Sequence, residues 1–270
     1  GSANLEFWET YDLPEIYQQL VAADNMLATI LKSDDTAAEG SETTTVEATS
    51  EVVADNAAAE TTNDADSLLA KIGEDKPEAQ AAQSMEEFAK LHPLFAVLQI
   101  NQYNGQLAPG PVVGIADKKD MAKIDEYLNM KQVKDLLPRN LSLKWGVKAI
   151  DEKEQFFYLY AIKKTNRDGT PALGGDVVTD ANADFVQQAG RSEQVVDMVM
   201  NAEGAKAWAR LTKENIGKAV AIVLDDMVYS APNVQVEITG GRSQITGHFT
   251  PEEAKDLANV LKSGKMAASV

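Results

Sequence analysis

Hydrophobic positions along this chain fall into three textures. A strand-like and then a helical pattern open it, a long stretch follows with no apolar period, and short periodic segments run from about residue 84 onward. Leu5-Glu6-Phe7-Trp8-Glu9-Thr10-Tyr11 alternates loosely and is rich in aromatics, which predicts a strand. Pro14 to Leu31 carries Ile16, Leu20, Met26, Leu27 and Leu31 at helical spacing. Pro14 falls at the start of that predicted helix, where a missing N–H costs nothing.

Ser33 to Ser84 has no Phe, Trp or Tyr and consists mostly of Ala, Thr, Asp, Glu and Ser. Such a segment buries too little surface to offset a chain entropy of roughly 1–2 kcal/mol per backbone residue. At least Asp34 to Asp66 is therefore expected to be a disordered acidic insertion, a solvated tether. Order is expected to return at Ser84-Met85-Glu86-Glu87, an approximate capping box opening a short helix to Leu91 that Pro93 interrupts.

The remainder reads as alternating short elements. Gly105 to Pro111 is a turn, Val112 to Ile115 a strand, and Asp117 to Met130 an amphipathic helix with Met121, Ile124, Tyr127 and Leu128 on one face. Leu141, Leu143 and Trp145 alternate with polar residues, Phe156 to Ile162 is a stronger strand, and Asn166-Arg167-Asp168-Gly169 is a turn. A turn at Gly174 to Asp176 precedes the strand Val195 to Met200. Asn201 then caps a helix bearing Ala205, Trp208, Ala209 and Ile216, with Gly217 as its left-handed terminus. Ala219 to Leu224 is continuously apolar, hence a strand buried on both faces, and Asp225-Asp226 turns it toward Val228 and Tyr229. Val234, Val236 and Ile238 alternate like a strand, Gly240-Gly241 turns the chain, and Gln244 to Phe249 returns. Thr250, Pro251 and Glu253 write a cap, a first-turn proline and a capping box for a last helix, with Ala254, Leu257, Ala258 and Leu261 as its stripe and Gly264 at its end. The pattern predicts an α+β fold, a mixed or antiparallel sheet packed with helices, without a regular βαβ repeat.

Composition narrows the function. The 270 residues carry a formal charge of −17, which argues against a nucleic-acid partner because phosphate binding needs clustered Lys and Arg. Thirteen Asp and Glu against two Lys lie between Ser33 and Ser84, a net of −11, so the rest is only mildly acidic. No run approaches the roughly 20 apolar residues of a membrane helix, and the start lacks the pattern of a signal peptide. The absence of Cys leaves the compartment open.

Candidate chemistry is sparse. His92 and His248 are the only histidines and fall in no zinc motif, so polar structural roles are expected for both. Asp180-Ala181-Asn182-Ala183-Asp184 imitates a calcium loop but has Phe185 where glycine is needed and Arg191 where a bidentate Glu is needed. Gly217-Lys218 and Gly264-Lys265 lack the following Ser or Thr of a phosphate loop. Gly174, Gly175, Gly240 and Gly241 are expected as turns in which glycine supplies positive φ. Ser243 lies outside any nucleophile elbow. No enzyme, cofactor or metal site is expected.

The C-terminal third carries a resemblance. Gly174-Gly175-Asp176-Val177-Val178, Asn201-Ala202-Glu203-Gly204-Ala205-Lys206, Asn215-Ile216-Gly217-Lys218, Ala221-Ile222-Val223-Leu224-Asp225, Ser230-Ala231-Pro232, Ile238-Thr239-Gly240-Gly241 and Thr246-Gly247-His248-Phe249-Thr250 resemble the periplasmic region of the SecD family, in that family's order and spacing. So do Glu252-Glu253-Ala254 and Leu257-Ala258, and Leu5-Glu6-Phe7 looks like the family's strand leading into the same region. Asp226, His248 and Trp208 stand where the family commonly has Gly, Asn and Phe. The resemblance implies a fragment of an accessory subunit of the Sec translocon on the periplasmic side of the bacterial inner membrane. Its partners would be SecF, SecYEG and unfolded preprotein. The proton-carrying residues would lie in membrane helices outside this stretch. It further implies a mobile head on a ferredoxin-like base: residues 1–12 a strand of the base, 13–247 the head with the 33–84 insertion, and 248–270 a helix returning to the base. The alternative is an extracytoplasmic module for a small ligand or glycan, in which Trp8, Trp145 and Trp208 would line a cleft. The sequence does not identify the residues that touch preprotein.

Overall fold

The alternating start forms strand β1 (Leu5–Thr10) in a computed structural model that describes residues 4–39, 78–188 and 191–263. Helix α1 (Leu13–Glu39) follows, with Leu13, Ile16, Leu20, Ala23 and Leu27 buried at helical spacing. Helix α2 (Glu78–Leu91) leads to four short strands, β2 (Gln99–Ile100), β3 (Gln102–Tyr103), β4 (Gln106–Leu107) and β5 (Val112–Asp117). A 3₁₀ turn and helices α3 (Met121–Asn129) and α4 (Lys131–Lys134) then precede the hairpin of β6 (Leu141–Ala149) and β7 (Phe156–Lys163). Next come β8 (Leu173–Gly174), a 3₁₀ turn (Gly175–Val177), β9 (Val178–Gln188), β10 (Arg191–Met200) and helix α5 (Ala202–Glu214). The chain closes with β11 (Val220–Leu224), β12 (Met227–Ser230), β13 (Arg242–Phe249) and helix α6 (Pro251–Ser263). The fold is mixed α+β, as expected.

One sheet runs β2-β5-β7-β6-β12-β11-β1-β8, and a second runs β13-β10-β9. In the first, β1 also pairs with the end of β7, Glu9 opposite Lys163 and Thr10 opposite Ile162. It does so where β5 stops: Val112 lies opposite Tyr160, and the Ala161 N–H donates to the Pro111 carbonyl. The pairings β1–β7, β7–β6, β6–β12, β12–β11 and β11–β1 therefore close a ring of five strands, with β12 and β6 parallel and the others antiparallel.

Strand periodicity sorts the core into three bodies. Trp8 of β1, Ile162 of β7, Ala221 and Val223 of β11 and Val228 of β12 fill the inside of the ring, with Tyr160 against them. The alternate residues Leu5 and Phe7 of β1 and Val220 and Ile222 of β11 face outward, onto α5, α6 and the three-stranded sheet. Leu159 and Ala161 of β7 join α1, α3 and α4 in a separate core on another face of the ring. Strand β11 is thus buried on both faces, which is why its sequence is apolar without alternation.

Several expectations are corrected. Helix α1 continues through Glu39, so Asp34 to Glu39 are helical, and residues 40–77 of the expected insertion lie outside the described residues. Ser84 lies inside α2, which already begins at Glu78. Val234, Val236 and Ile238 form no ladder: the Val234 N–H donates to the Lys218 carbonyl and the Ile238 N–H to Thr212 Oγ1, leaving Val236 63% exposed. Helix α5 ends at Glu214, so Ile216 is exposed rather than part of its stripe. Gly217 is left-handed at φ 81° but follows the Asn215 cap by two residues. The Asp225-Asp226 turn stands as expected, both residues left-handed at φ 47° and 72°.

The capping box at α6 is reciprocal: Thr250 N–H donates to Glu253 Oε2 at 3.0 Å and Glu253 N–H to Thr250 Oγ1 at 3.2 Å. That backbone bond, then Lys148, holds the Glu253 carboxyl below its ordinary value. A carboxyl depressed in the folded state stabilises it above the unfolded pKa, and this is lost as pH falls through the folded one. Thr250→Ala is expected to cost about 1 kcal/mol in urea unfolding. Glu253→Gln is expected to lower stability near pH 7, with the two curves converging below the ordinary Glu range of about 4.3.

Candidate interaction surfaces

The glycine turns hold two kinds of geometry. Gly240 and Gly241 are left-handed, at φ 83° and 69°, as the turn reading requires. Gly174 is not: its φ is −85°, and Gly175 is absent from the left-handed region. Close approach explains Gly175 instead, because a Cβ there would fall 2.6 Å from Leu5 Cβ. A Cβ on Gly204, in the first turn of α5, would likewise meet Val177 Cβ at 2.6 Å, and one on Gly241 would meet Ala205 Cβ at 2.8 Å. These contacts press the 3₁₀ turn onto β1, α5 onto that turn, and the Gly240-Gly241 loop onto α5. The turns are packing devices.

The three tryptophans are distributed over the three cores. Trp8 lies in the ring and donates to Glu6 Oε2 at 2.9 Å. Trp145 belongs to the α1 core and donates to Asp125 Oδ1 at 2.8 Å. Trp208 packs edge-on to Phe7 at 5.3 Å and donates to Ser243 Oγ at 2.6 Å. Among the described residues no two of them share a packing cluster, as a cleft lined by two would require. A cleft of about 380 Å³ is lined by Asp125, Leu128, Lys134, Leu137, Arg139 and Lys164 among others, and an open depression of about 530 Å³ by Asp117, Lys118, Lys119, Lys153, Glu154 and Gln155. Neither has a tryptophan in its lining.

His92 takes the polar role expected. Its Nδ1 lies 2.7 Å from Asp24 Oδ2, and Asp24 Oδ1 accepts from the N–H groups of Leu94 at 2.9 Å and Phe95 at 3.4 Å. Asp24, 1% exposed on the buried stripe of α1, therefore caps the turn that follows Pro93 and ties it to the helix. Burial pushes its carboxyl up, against the pull of His92 and the two N–H groups. Burial, with Tyr158 beside it, also pushes the Tyr160 phenol up to about 12, so it stays protonated inside the ring.

Asp180 to Asp184 lie in β9 and not in a loop, paired from Asp180 opposite Val199 to Asp184 opposite Val195. The strand pleat puts Asp180, Asn182 and Asp184 on one face and Ala181 and Ala183 on the other, against the core. Lys262 of α6 reaches this face, 3.0 Å from Asn182 Oδ1 and 3.8 Å from Asp180. The alternation of Asp, Ala, Asn, Ala and Asp is the local signal of this strand. Strand β9 forms a margin of its sheet, and Phe185 on it is 59% exposed.

The family model for the SecDF P1 head subdomain matches residues 151–268. A protein translocase subunit SecD of Rhodothermus marinus is 37% identical over 273 residues, spanning 100% of this chain and 37% of that protein. The chain belongs to the SecD family. A SecD of Rickettsia felis is 37% identical over 158 residues, covering 58% of this chain and 28% of the relative. The chain thus spans well under half the length of either. A solved structure of SecDF, described as a membrane component that enhances protein export, is 21% identical across 96% of this chain and 93% of its own, with a TM-score of 0.30, too low to carry an argument. The resemblance of residues 172 to 270 to SecD is borne out, since the quoted motifs of that stretch fall within the matched residues.

Gly175→Ala is expected to cost about 1–3 kcal/mol by overpacking against Leu5, read as a lower urea midpoint with unchanged slope. Asp24→Ala is expected to cost about 1–3 kcal/mol, because Leu94 N–H and His92 lose a buried acceptor. Because burial raises the Asp24 pKa, its own contribution to stability falls as pH rises through that value. Asp24→Asn should remove this component from the pH–stability curve.

Proposed function

We propose that this stretch is a non-enzymatic module of a protein-export accessory subunit, exposed on the periplasmic side of the bacterial inner membrane. The match to a SecD translocase subunit along the full length of the chain carries this reading. Among the described residues no helix is long and apolar enough to cross a membrane, so in this reading membrane contact and proton coupling belong to other segments of the subunit. The described residues supply layered packing around a closed ring of strands, which suits a part that is moved as a unit. SecF, SecYEG and an unfolded preprotein are its proposed partners.

The working cycle follows from small energy differences. A head hinged to a ferredoxin-like base, toward which residues 1–12 and 248–270 lead, occupies orientations separated by a few kcal/mol. Events in the membrane then shift their populations. An emerging chain is held weakly and released when the orientation changes. Site-specific photocrosslinkers on this region, tested against a preprotein arrested during secretion, are expected to give adducts. The absence of any adduct, with export still dependent on the subunit, would refute direct handling.

A further inference from the structure

The cleft of about 380 Å³ between α3, the α4–β6 link and β6 joins an apolar wall to a cationic rim. Leu128 of α3, 7% exposed, and the half-buried Leu137, Leu141 and Leu143 supply the wall. Lys134 closes α4, Arg139 lies in the link and Lys164 follows β7, and all three line the same space. None of the three makes an ion pair among the described residues. Opposing them are Asp125, whose Oδ1 accepts from Trp145 Nε1 at 2.8 Å, and the exposed Asp135. The lining therefore carries three cations against two acids, the reverse of a chain with 25 Lys and Arg against 42 Asp and Glu.

The backbone holds these cations on one frame. Leu137 N–H donates to the Lys134 carbonyl at 3.2 Å, Leu141 N–H to the Pro138 carbonyl at 2.9 Å, and Lys164 N–H to the Asn140 carbonyl at 2.7 Å. Tyr11 OH donates to Asn140 Oδ1 at 2.6 Å, which anchors the link to the residue after β1. Little backbone ordering is left to be lost on binding, and such ordering is a main cost of association. The volume falls in the range of about 300–1,000 Å³ usual for small-molecule clefts. Cations gathered beside an apolar wall suit a ligand with one anionic group and an aliphatic body. Burial of the body gains from the hydrophobic effect, and the anion relieves repulsion among the cations. The other depression, at Asp117 to Lys119 and Lys153 to Gln155, has no apolar side chain in its lining, and there Lys119 already pairs with Asp117 at 3.6 Å.

We propose that this cleft binds a small aliphatic monocarboxylate, its carboxylate among Lys134, Arg139 and Lys164 and its apolar body on Leu137, Leu141 and Leu143. Arg139 offers paired N–H donors that match a carboxylate in one plane. Asp125 and Asp135 limit the charge: with a surplus of one cation, the cleft favours a single negative charge over two. A free fatty acid and the C-terminal end of a short apolar peptide share this chemistry. The assignment goes beyond the export reading and does not depend on it.

The test uses the 270-residue chain and octanoate, below micelle-forming concentrations, followed through the indole N–H signals in NMR. Trp145 N–H reports on the cleft through Asp125, whereas Trp8 and Trp208 sit in other cores. Octanoate is expected to shift the Trp145 signal saturably and to leave the other two in place. Its dissociation constant is expected on the order of millimolar, as about ten non-hydrogen atoms allow, and to rise with salt. Arg139→Gln with Lys164→Gln is expected to weaken binding at least tenfold, while the Trp8 and Trp208 signals report an intact fold. Should those signals move, octyltrimethylammonium and acetate decide in the natural chain, where both are expected to bind at least tenfold more weakly than octanoate. N-acetyl-Leu-Leu separates the two sources: tighter binding than octanoate identifies a peptide end, and weaker binding a fatty acid. Equal binding of octyltrimethylammonium shows an apolar wall without charge selection, and equal binding of acetate shows charge without the wall. Either overturns the assignment, as does the absence of a saturable Trp145 shift.

Discussion

The pairing of β1 with β11 is the constraint on which the other layers depend. Leu5 lies opposite Leu224 and Glu9 opposite Val220, so a strand from the start of the chain is locked beside one from near its end. Both present apolar residues on both faces, one toward the ring interior and one toward α5 and α6. Removing this pair would open the five-strand ring and expose two cores at once. Thr10 Oγ1 reinforces the seam with a buried bond to the Ala219 carbonyl, 209 residues away in sequence. Closing so long a loop has to precede any gain from the contact, which places this pairing late in assembly.

Around that seam, small residues and buried polar groups fix how the layers dock. Gly175 lets the 3₁₀ turn lie against Leu5, and Gly204 lets α5 lie against Val177. Hydrophobic burial is non-directional and would tolerate sliding of one layer over another. The bonds Trp208 to Ser243, Asn215 to Glu9 and Ile238 to Thr212 tolerate little, because a shift leaves a donor unpaired in a low-dielectric interior. Asp24 does the same between α1 and the turn after Pro93, where the cost of burying its carboxyl is partly offset by two backbone N–H donors and the His92 ring. Lys144 reaches across to Asp226 in the β11–β12 turn and so ties two ring strands at the rim.

The ring and its flanking cores are fixed by pairing on many sides, whereas β9 is bonded on one side only. Chemistry-bearing side chains are committed to structure: Ser243 accepts from Trp208, His92 pairs with Asp24, and Asp180 and Asp184 cover backbone donors.

Much of the local structure was legible in the sequence, since helix caps, turns and strand periods are set by residues within a few positions of one another. The capping box of Thr250 and Glu253, the Asn201 cap, the Asp225-Asp226 turn and the two-sided strand at Val220 to Leu224 all follow from neighbours in the chain. The same local reading went astray where distant groups took over. Thr212 and Lys218 claimed the N–H groups that would have made Val234 to Ile238 a strand, and β10 drew Asp180 to Asp184, where no strand was expected, into a ladder. The glycine at 175 was legible, but its reason, the Cβ of Leu5, was not. Ring closure, the partner of His92 and the place of β9 at the end of its sheet were decided by tertiary structure alone, because each depends on which residues far apart in sequence meet, and no local period records that.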